Sequence, residues 1–181
     1  MLYTSKNIVL KNDINAVFRN PLSSDAKAMT EYLKTCAAET NFILYYPEEC
    51  IDNEEDERIF LERINASLHT MMIVCTINEE IAGNCALMFN ENLKTKHRAR
   101  VAIGLLKKYW GIGIGTAMFS EMIATAKKKG VLQLELDYIE GNERARGLYE
   151  KMGFVPVAEK PNAIRLKDGT MLKEISMIKQ L

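Results

Sequence analysis

Tyr109-Trp110-Gly111-Ile112-Gly113-Ile114-Gly115-Thr116 is the stretch on which the fold turns. It follows a strand pattern, Arg98 to Leu106. It leads into an amphipathic helix that carries Met118, Phe119, Met122, Ile123 and Ala126 and ends before Gly130. Alternating glycines after a strand let the backbone turn tightly and bring several N–H groups toward one point. At a helix N-terminus the dipole adds positive character to that point. Strand, glycine loop and helix in this order make a phosphate cradle. The same glycines also suit a tight strand-to-helix turn that binds nothing.

What the loop lacks narrows the ligand. A P-loop needs GxxxxGK[ST] with its lysine, and here Gly115 is followed by Thr116, so ATP and GTP are not expected. The dinucleotide fingerprint GxGxxG also fails at its third glycine. Glu135 does lie about twenty residues on, where an acidic ribose partner belongs, and this keeps a nucleotide-binding dehydrogenase open as an alternative. Against it, the motif begins late in the chain, and one following strand–helix–strand unit is too little for a doubly wound sheet.

Downstream, Val131 to Tyr138 sets Leu132, Leu134, Leu136 and Tyr138 against Gln133, Glu135 and Asp137, the alternation of a strand with two unlike faces. Asn142 caps a helix that stops at Gly153. Phe154 to Ala158 and Met171 to Ile178 read as closing strands, the second reached through a turn at Lys167-Asp168-Gly169. Upstream, Ala16 to Arg19 is a short strand. Pro21, Ser23, Ser24 and Asp25 start a helix to about Cys36, with Ala26, Met29, Leu33 and Ala37 as its apolar stripe. Thr40 to Glu49 is an aromatic loop of the kind that lines substrate pockets. Asp52 or Asn53 caps a second helix through about Ala66, whose first-turn acids suit the helix dipole. Met71 to Ile77 and Ile81 to Phe89 form a hairpin across Asn78-Glu79-Glu80.

The composition fits one domain over residues 1–181, with 48% apolar and 27% charged residues, close to the globular average. Lysine plus arginine balance aspartate plus glutamate, 24 against 24, so no global field draws in nucleic acid or a membrane surface. Cys36, Cys50, Cys75 and Cys85 show no CxxC spacing, and the N-terminus lacks a basic segment before an apolar run. Both features point to the reducing cytoplasm. His69 and His97 stand outside any ligand pattern, and no metal is expected.

The glycine loop resembles the pyrophosphate loop of the GNAT superfamily of acyl-CoA N-acyltransferases. A second match is sharper: Asn142-Glu143-Arg144-Ala145-Arg146-Gly147-Leu148-Tyr149-Glu150-Lys151-Met152-Gly153-Phe154 is similar to that superfamily's N-x-x-A-x-x-L-Y-x-K-x-G-F segment. Trp110 departs from the Arg or Gln common at its position. The resemblance implies an α+β fold: a central mixed, mostly antiparallel sheet flanked by helices, with the glycine-rich loop between the fourth strand and the third helix.

It also implies acetyl-CoA as cosubstrate. Backbone groups of Leu105 and Leu106 would meet the pantetheine arm and the thioester oxygen, and the amides of Gly111, Ile112, Gly113, Ile114, Gly115 and Thr116 would hold the pyrophosphate. Asn142 would bond the arm, and Tyr149 would protonate the departing thiolate. The bland reading of Tyr149 is a core residue in the stripe Ala145, Leu148, Tyr149, Met152. Lys151 and Arg146 can reach phosphates or simply be solvated. The expected strand before the loop, Ala99 to Ile103, carries no carboxylate, so Glu135 and Asp137 are the candidates to take the amine's proton. The expected acceptor is a small-molecule amine or amino acid, with a peptide N-terminus as the alternative. Its pocket is expected along Thr40 to Glu49 and Lys160 to Met171. A non-catalytic acyl-CoA-binding module stays open, and the resemblance allows for a homodimer.

Overall fold

The computed structural model describes every residue except Asp52, so the expectation of a cap at Asp52 lies outside the described residues. The strands are β1 (Lys6–Val9), β2 (Asn15–Arg19), β3 (Thr70–Ile77), β4 (Glu80–Phe89), β5 (Arg98–Leu105), β6 (Gln133–Ile139), β7 (Val155–Arg165) and β8 (Met171–Gln180). The helices are α1 (Ala26–Glu39), α2 (Glu54–Ala66), α3 (Ile114–Lys128) and α4 (Glu143–Lys151). The sheet runs β1-β2-β3-β4-β5-β6-β8-β7 and is mostly antiparallel, with a parallel pair at β5 and β6. This is the expected mixed fold. The glycine loop follows the fifth strand and not the fourth, because β1 escaped the sequence reading. KNIV is short, without alternation and mostly exposed at the sheet edge, and only its pairing with β2 makes it a strand.

The chain divides into two compact units, Met1–Met88 with Ala102–Met118, and Phe89–Val101 with Phe119–Leu181. In the first, α1 follows a 3-10 turn over Ser23–Asp25, and Asp25 holds this entry by accepting from the Leu22 amide (2.7 Å) and pairing with Arg19 (2.6 Å). Ala26, Met29, Tyr32 and Cys36 of α1 pack with Leu61 of α2 and with Met72, Val74, Ile81 and Leu106. Asn53 caps α2 by accepting from the Glu55 amide. The β3–β4 hairpin turns at Asn78 and Glu79, which take the positive φ values (48° and 67°) that a tight two-residue turn requires.

In the second unit, Leu134, Leu136 and Tyr138 of β6 are buried as the alternation predicts. Leu132 is not; it lies before the strand, 59% exposed, with its amide donating to the His97 carbonyl. The closing hairpin is longer than expected. β7 continues through Lys160–Arg165, so those residues, read as a pocket-lining segment, lie in a strand paired with β8 across the Asp168–Gly169 turn.

Candidate active site

The end of β5 and the loop after it belong to the first unit. A Cβ at Gly83 of β4 would collide with Leu105 and with the Gly104 carbonyl, so only glycine allows β4 this close to β5. The Leu106 amide donates to the Ala82 carbonyl (3.0 Å). That corrects the expectation that the Leu106 amide faces a thioester, because this donor is already used. Successive residues of a strand turn their backbone groups to opposite edges, so Leu105 presents its own away from β4. The Leu105 carbonyl accepts a hydrogen bond from the Trp110 indole N–H (2.9 Å), a contact the sequence reading missed. The parallel ladder of β5 with β6 covers Arg98–Arg100 and Gln133–Glu135, whereas β5 continues to Leu105 and β6 to Ile139.

The loop has the conformation that its glycines predict. Gly111 and Gly113 sit at φ 85° and 103°, and Ile114 opens α3 directly afterward. Side chains are strained at such angles, and successive peptides in this arrangement turn their N–H groups to one concave side. Lys11 pins the loop from below, its amide donating to the Ile112 carbonyl (3.0 Å). Ile114 and Gly115 are buried, while Ile112, Gly113 and Thr116 are half-buried. Two positive-φ glycines leading into a helix start therefore stand where the sequence placed an anion cradle. Lys108 and Tyr109 are tied to Glu80 (2.5 and 2.6 Å), and the Lys107 amide donates to Glu39 (2.7 Å) at the C-terminal end of α1. The Glu80 bond and burial push the Tyr109 hydroxyl up to about 12.

Beside this strand end, Tyr32 of α1 is buried, and its hydroxyl donates to Asn84 Oδ1 (2.8 Å) while accepting from the Asn84 amide (3.2 Å). A Cβ on Gly104 would come within 3.1 Å of that hydroxyl and 3.4 Å of Asn84 Oδ1, a tight fit that favours glycine there. Neither residue carried a sequence signal, since both look like ordinary helix and strand positions.

Asn142, Tyr149, Lys151 and Glu135 belong to the second unit. Asn142 caps α4, its Oδ1 accepting from the Ala145 amide (3.2 Å). Two turns later Tyr149 is buried, with Phe119 and Tyr138 edge-on at 5.6 and 5.9 Å between centroids. Burial, with a smaller contribution from Tyr138, pushes its hydroxyl up to about 12, so it stays protonated near neutrality. Gly153 ends this helix at φ 84°. Lys151 is exposed, and Arg146 is spanned by Glu143 and Glu150 along its own helix.

Glu135 Oε1 accepts from Arg98 (3.0 Å) and Gln133 (2.7 Å), and Asp137 pairs with Arg100 and accepts from the Ser176 hydroxyl (2.6 Å). Both ion pairs run diagonally between β5 and β6, a neighbour relation set by the parallel register. They open onto a groove of about 480 Å³. Among the described residues no cluster of three or more His, Cys, Asp or Glu could hold a metal, and no helix is long and apolar enough to cross a membrane.

Residues 29–154 match the model of the acetyltransferase (GNAT) family. No curated protein matches the chain. The fold is similar to an acetyltransferase of the GNAT family from Streptococcus pneumoniae, with 24% identity, 92% of this chain and 99% of that one covered, and a TM-score of 0.84. It is also similar to a ribosomal-protein-alanine N-acetyltransferase from Brucella melitensis (21%, 91% and 99%, 0.77). A third similar structure is the microcin C7 self-immunity acetyltransferase MccE in complex with acetyl-CoA and AMP (17%, 94% and 94%, 0.76).

Proposed function

The chain belongs to the acetyltransferase (GNAT) family, and from that premise we propose that it transfers the acetyl group of acetyl-CoA to a primary amine of a small molecule or amino acid. The observation that carries this reading is the glycine loop, where two positive-φ glycines lead into a helix start directly beyond β5, the arrangement that suits an amide cradle. The family match, over residues 29–154, includes parts of both compact units, which supports reading them as one catalytic domain.

In this reading the backbone from Gly111 to Thr116 binds the pyrophosphate. The ladder with β6 stops at Arg100, which supports assigning the Ile103 and Leu105 peptides to the pantetheine arm and the thioester. A donor held there stabilises the oxyanion formed when the amine attacks the thioester carbon, a contribution of a few kcal/mol. Asn142 keeps its cap and turns the remainder of its amide to the arm.

Tyr149 meets the sulfur as the C–S bond breaks. With its hydroxyl raised to about 12, full proton transfer to a thiolate of ordinary basicity is uphill. Tyr149 therefore acts chiefly by donating a hydrogen bond to the developing negative charge. Glu135 receives the proton of the attacking amine through Oε2, the oxygen that Arg98 and Gln133 do not use. Lys151, exposed on α4, neutralises a coenzyme phosphate.

The test is release of free thiol from acetyl-CoA over amino acids, diamines, aminoglycosides and short peptides, with Tyr149→Phe beside the wild type. Turnover with a small amine, lowered about 10–100-fold in kcat by the substitution, is the expected result. Because Tyr149 remains protonated, the alkaline side of the pH profile should not fall through its ionisation below about 12. Turnover with peptides alone would move the acceptor to a protein N-terminus. Acetyl-CoA that raises Tm without any turnover would mark a binding module.

A further inference from the structure

The acidic first turn of α2 is not uniform. Glu54, Glu55 and Asp56 are exposed, as acids that complement a helix dipole should be, whereas Glu57 is wholly buried. Neither of its carboxylate oxygens has a hydrogen-bond partner. It shares a face with Leu61, four residues on and equally buried, and with Ile64, both packed on the α1 cluster of Met29, Tyr32 and Cys36. Burial alone raises its carboxyl above the ordinary value, with no cation to offset it. An unpaired buried carboxyl destabilises the fold, and an apolar side chain would serve the packing better. Packing therefore does not explain why glutamate stands there.

Its place in the fold does. Asn65 near the C-terminal end of α2 donates to the Pro21 carbonyl (2.6 Å), just before α1 begins, so the two helices run antiparallel. The first turn of α2 thus lies toward the C-terminal end of α1, where Glu39 accepts the amide of Lys107 at the start of the cofactor loop. The chain feeding α2 is loosely held: no residue from Thr40 to Ile51 is buried, and Leu44 and Tyr45 are 64% and 62% exposed. A segment with so few buried contacts opens at low cost, and it joins the C-terminal end of α1 to the start of α2, three residues before Glu57.

We infer that Glu57 is the acceptor-recognition carboxylate of this enzyme, a group sealed in the free protein that receives an ammonium of a cationic amine when residues 40–51 move aside. The inference rests on the acetyltransferase reading for the word acceptor, but its test does not.

The experiment is thermal stabilisation of the full chain by 1,4-diaminobutane at constant ionic strength, with the neutral isostere 1,4-butanediol as control, in wild type, Glu57→Gln and Glu57→Met. The diamine alone should raise the wild-type Tm, and its titration midpoint should move up at least about tenfold in both variants, the loss expected for one charge-assisted hydrogen bond. Acetyl-CoA should raise all three Tm values equally, which shows that the variants fold. Equal diamine responses in wild type and Glu57→Gln, or none in the wild type, would overturn the inference. If acetyl-CoA stabilises no variant while the diamine response still depends on Glu57, the failure belongs to the cofactor reading and not to this one.

Discussion

Two loops of the first unit differ in how they are held. The segment from Leu105 to Ile114 is fastened at every turn: Leu106 to Ala82, Trp110 to the Leu105 carbonyl, Ile112 to Lys11, Lys107 to Glu39, and Lys108 and Tyr109 to Glu80. Residues 40–51 have a 3-10 turn at Pro47–Glu49, Ile43 leaning on the α1–α2 cluster, and short-range bonds such as Tyr46 to Glu49. A site for one invariant anion gains from preorganisation, because donors already in place need no reordering on binding. A site that must admit and release a variable amine has no such need. On the function proposed above, the contrast is one between a binding surface built in advance and one completed by its ligand.

The largest expected break in that contrast comes from Gly113→Val. The nearest atom to a new Cβ is 3.8 Å away, so space is ample, and the damage comes from φ 103°, which a β-branched residue cannot adopt without strain. Acetyl-CoA affinity by calorimetry should fall about 100-fold, since a relaxed loop no longer converges its amides. Trp110→Phe is milder. It keeps the ring and removes the indole donor to Leu105, and should raise the acetyl-CoA KM by roughly 5–10-fold at little cost in kcat, the scale of about 1 kcal/mol for one hydrogen bond.

On the other side of the comparison, Glu57 predicts a pH dependence. Its carboxyl resists ionisation more in the folded than in the unfolded chain. Its contribution to stability is therefore full below the unfolded value near 4.5 and is lost as pH rises through the folded value. Denaturant unfolding at pH about 5 and about 8 should show the wild type losing stability across this range by more than Glu57→Gln does. The smallest effect belongs to Tyr45→Ala, which should change stability by no more than about 0.5 kcal/mol, because the side chain is exposed. If Tyr45→Ala proved strongly destabilising, the two loops would be held alike and the contrast would fail.

The expectations that failed share a cause. β1 was illegible because KNIV is only four residues long and has no alternation, and a strand of that kind exists only through its neighbour. Leu132 fits the alternation of β6, but the strand starts one residue later. Glu57 was hidden among helix-start acids, although its spacing of four to Leu61 was a usable signal that a carboxylate stood on the apolar face. Lys160–Arg165 looked like loop because Pro161 and Asn162 interrupt the pattern, and the strand accommodates them through a register shift between Lys160 and Ile164.

By itself the sequence determined the order of elements from β2 to β8, the glycine loop at the end of β5 and the capped helix that carries Tyr149. Glycine spacing, capping residues and hydrophobic period are local properties, and each acts within a few residues of where it is read. Only the tertiary structure decided which donors were already spent, as with the Leu106 amide on Ala82. It also paired Glu135 and Asp137 with arginines of β5 and left the carboxylate of Glu57 sealed and unpartnered. Hydrogen-bond partnership and burial depend on residues far apart in the chain, so they exist only once the strands have found their register and the helices their faces.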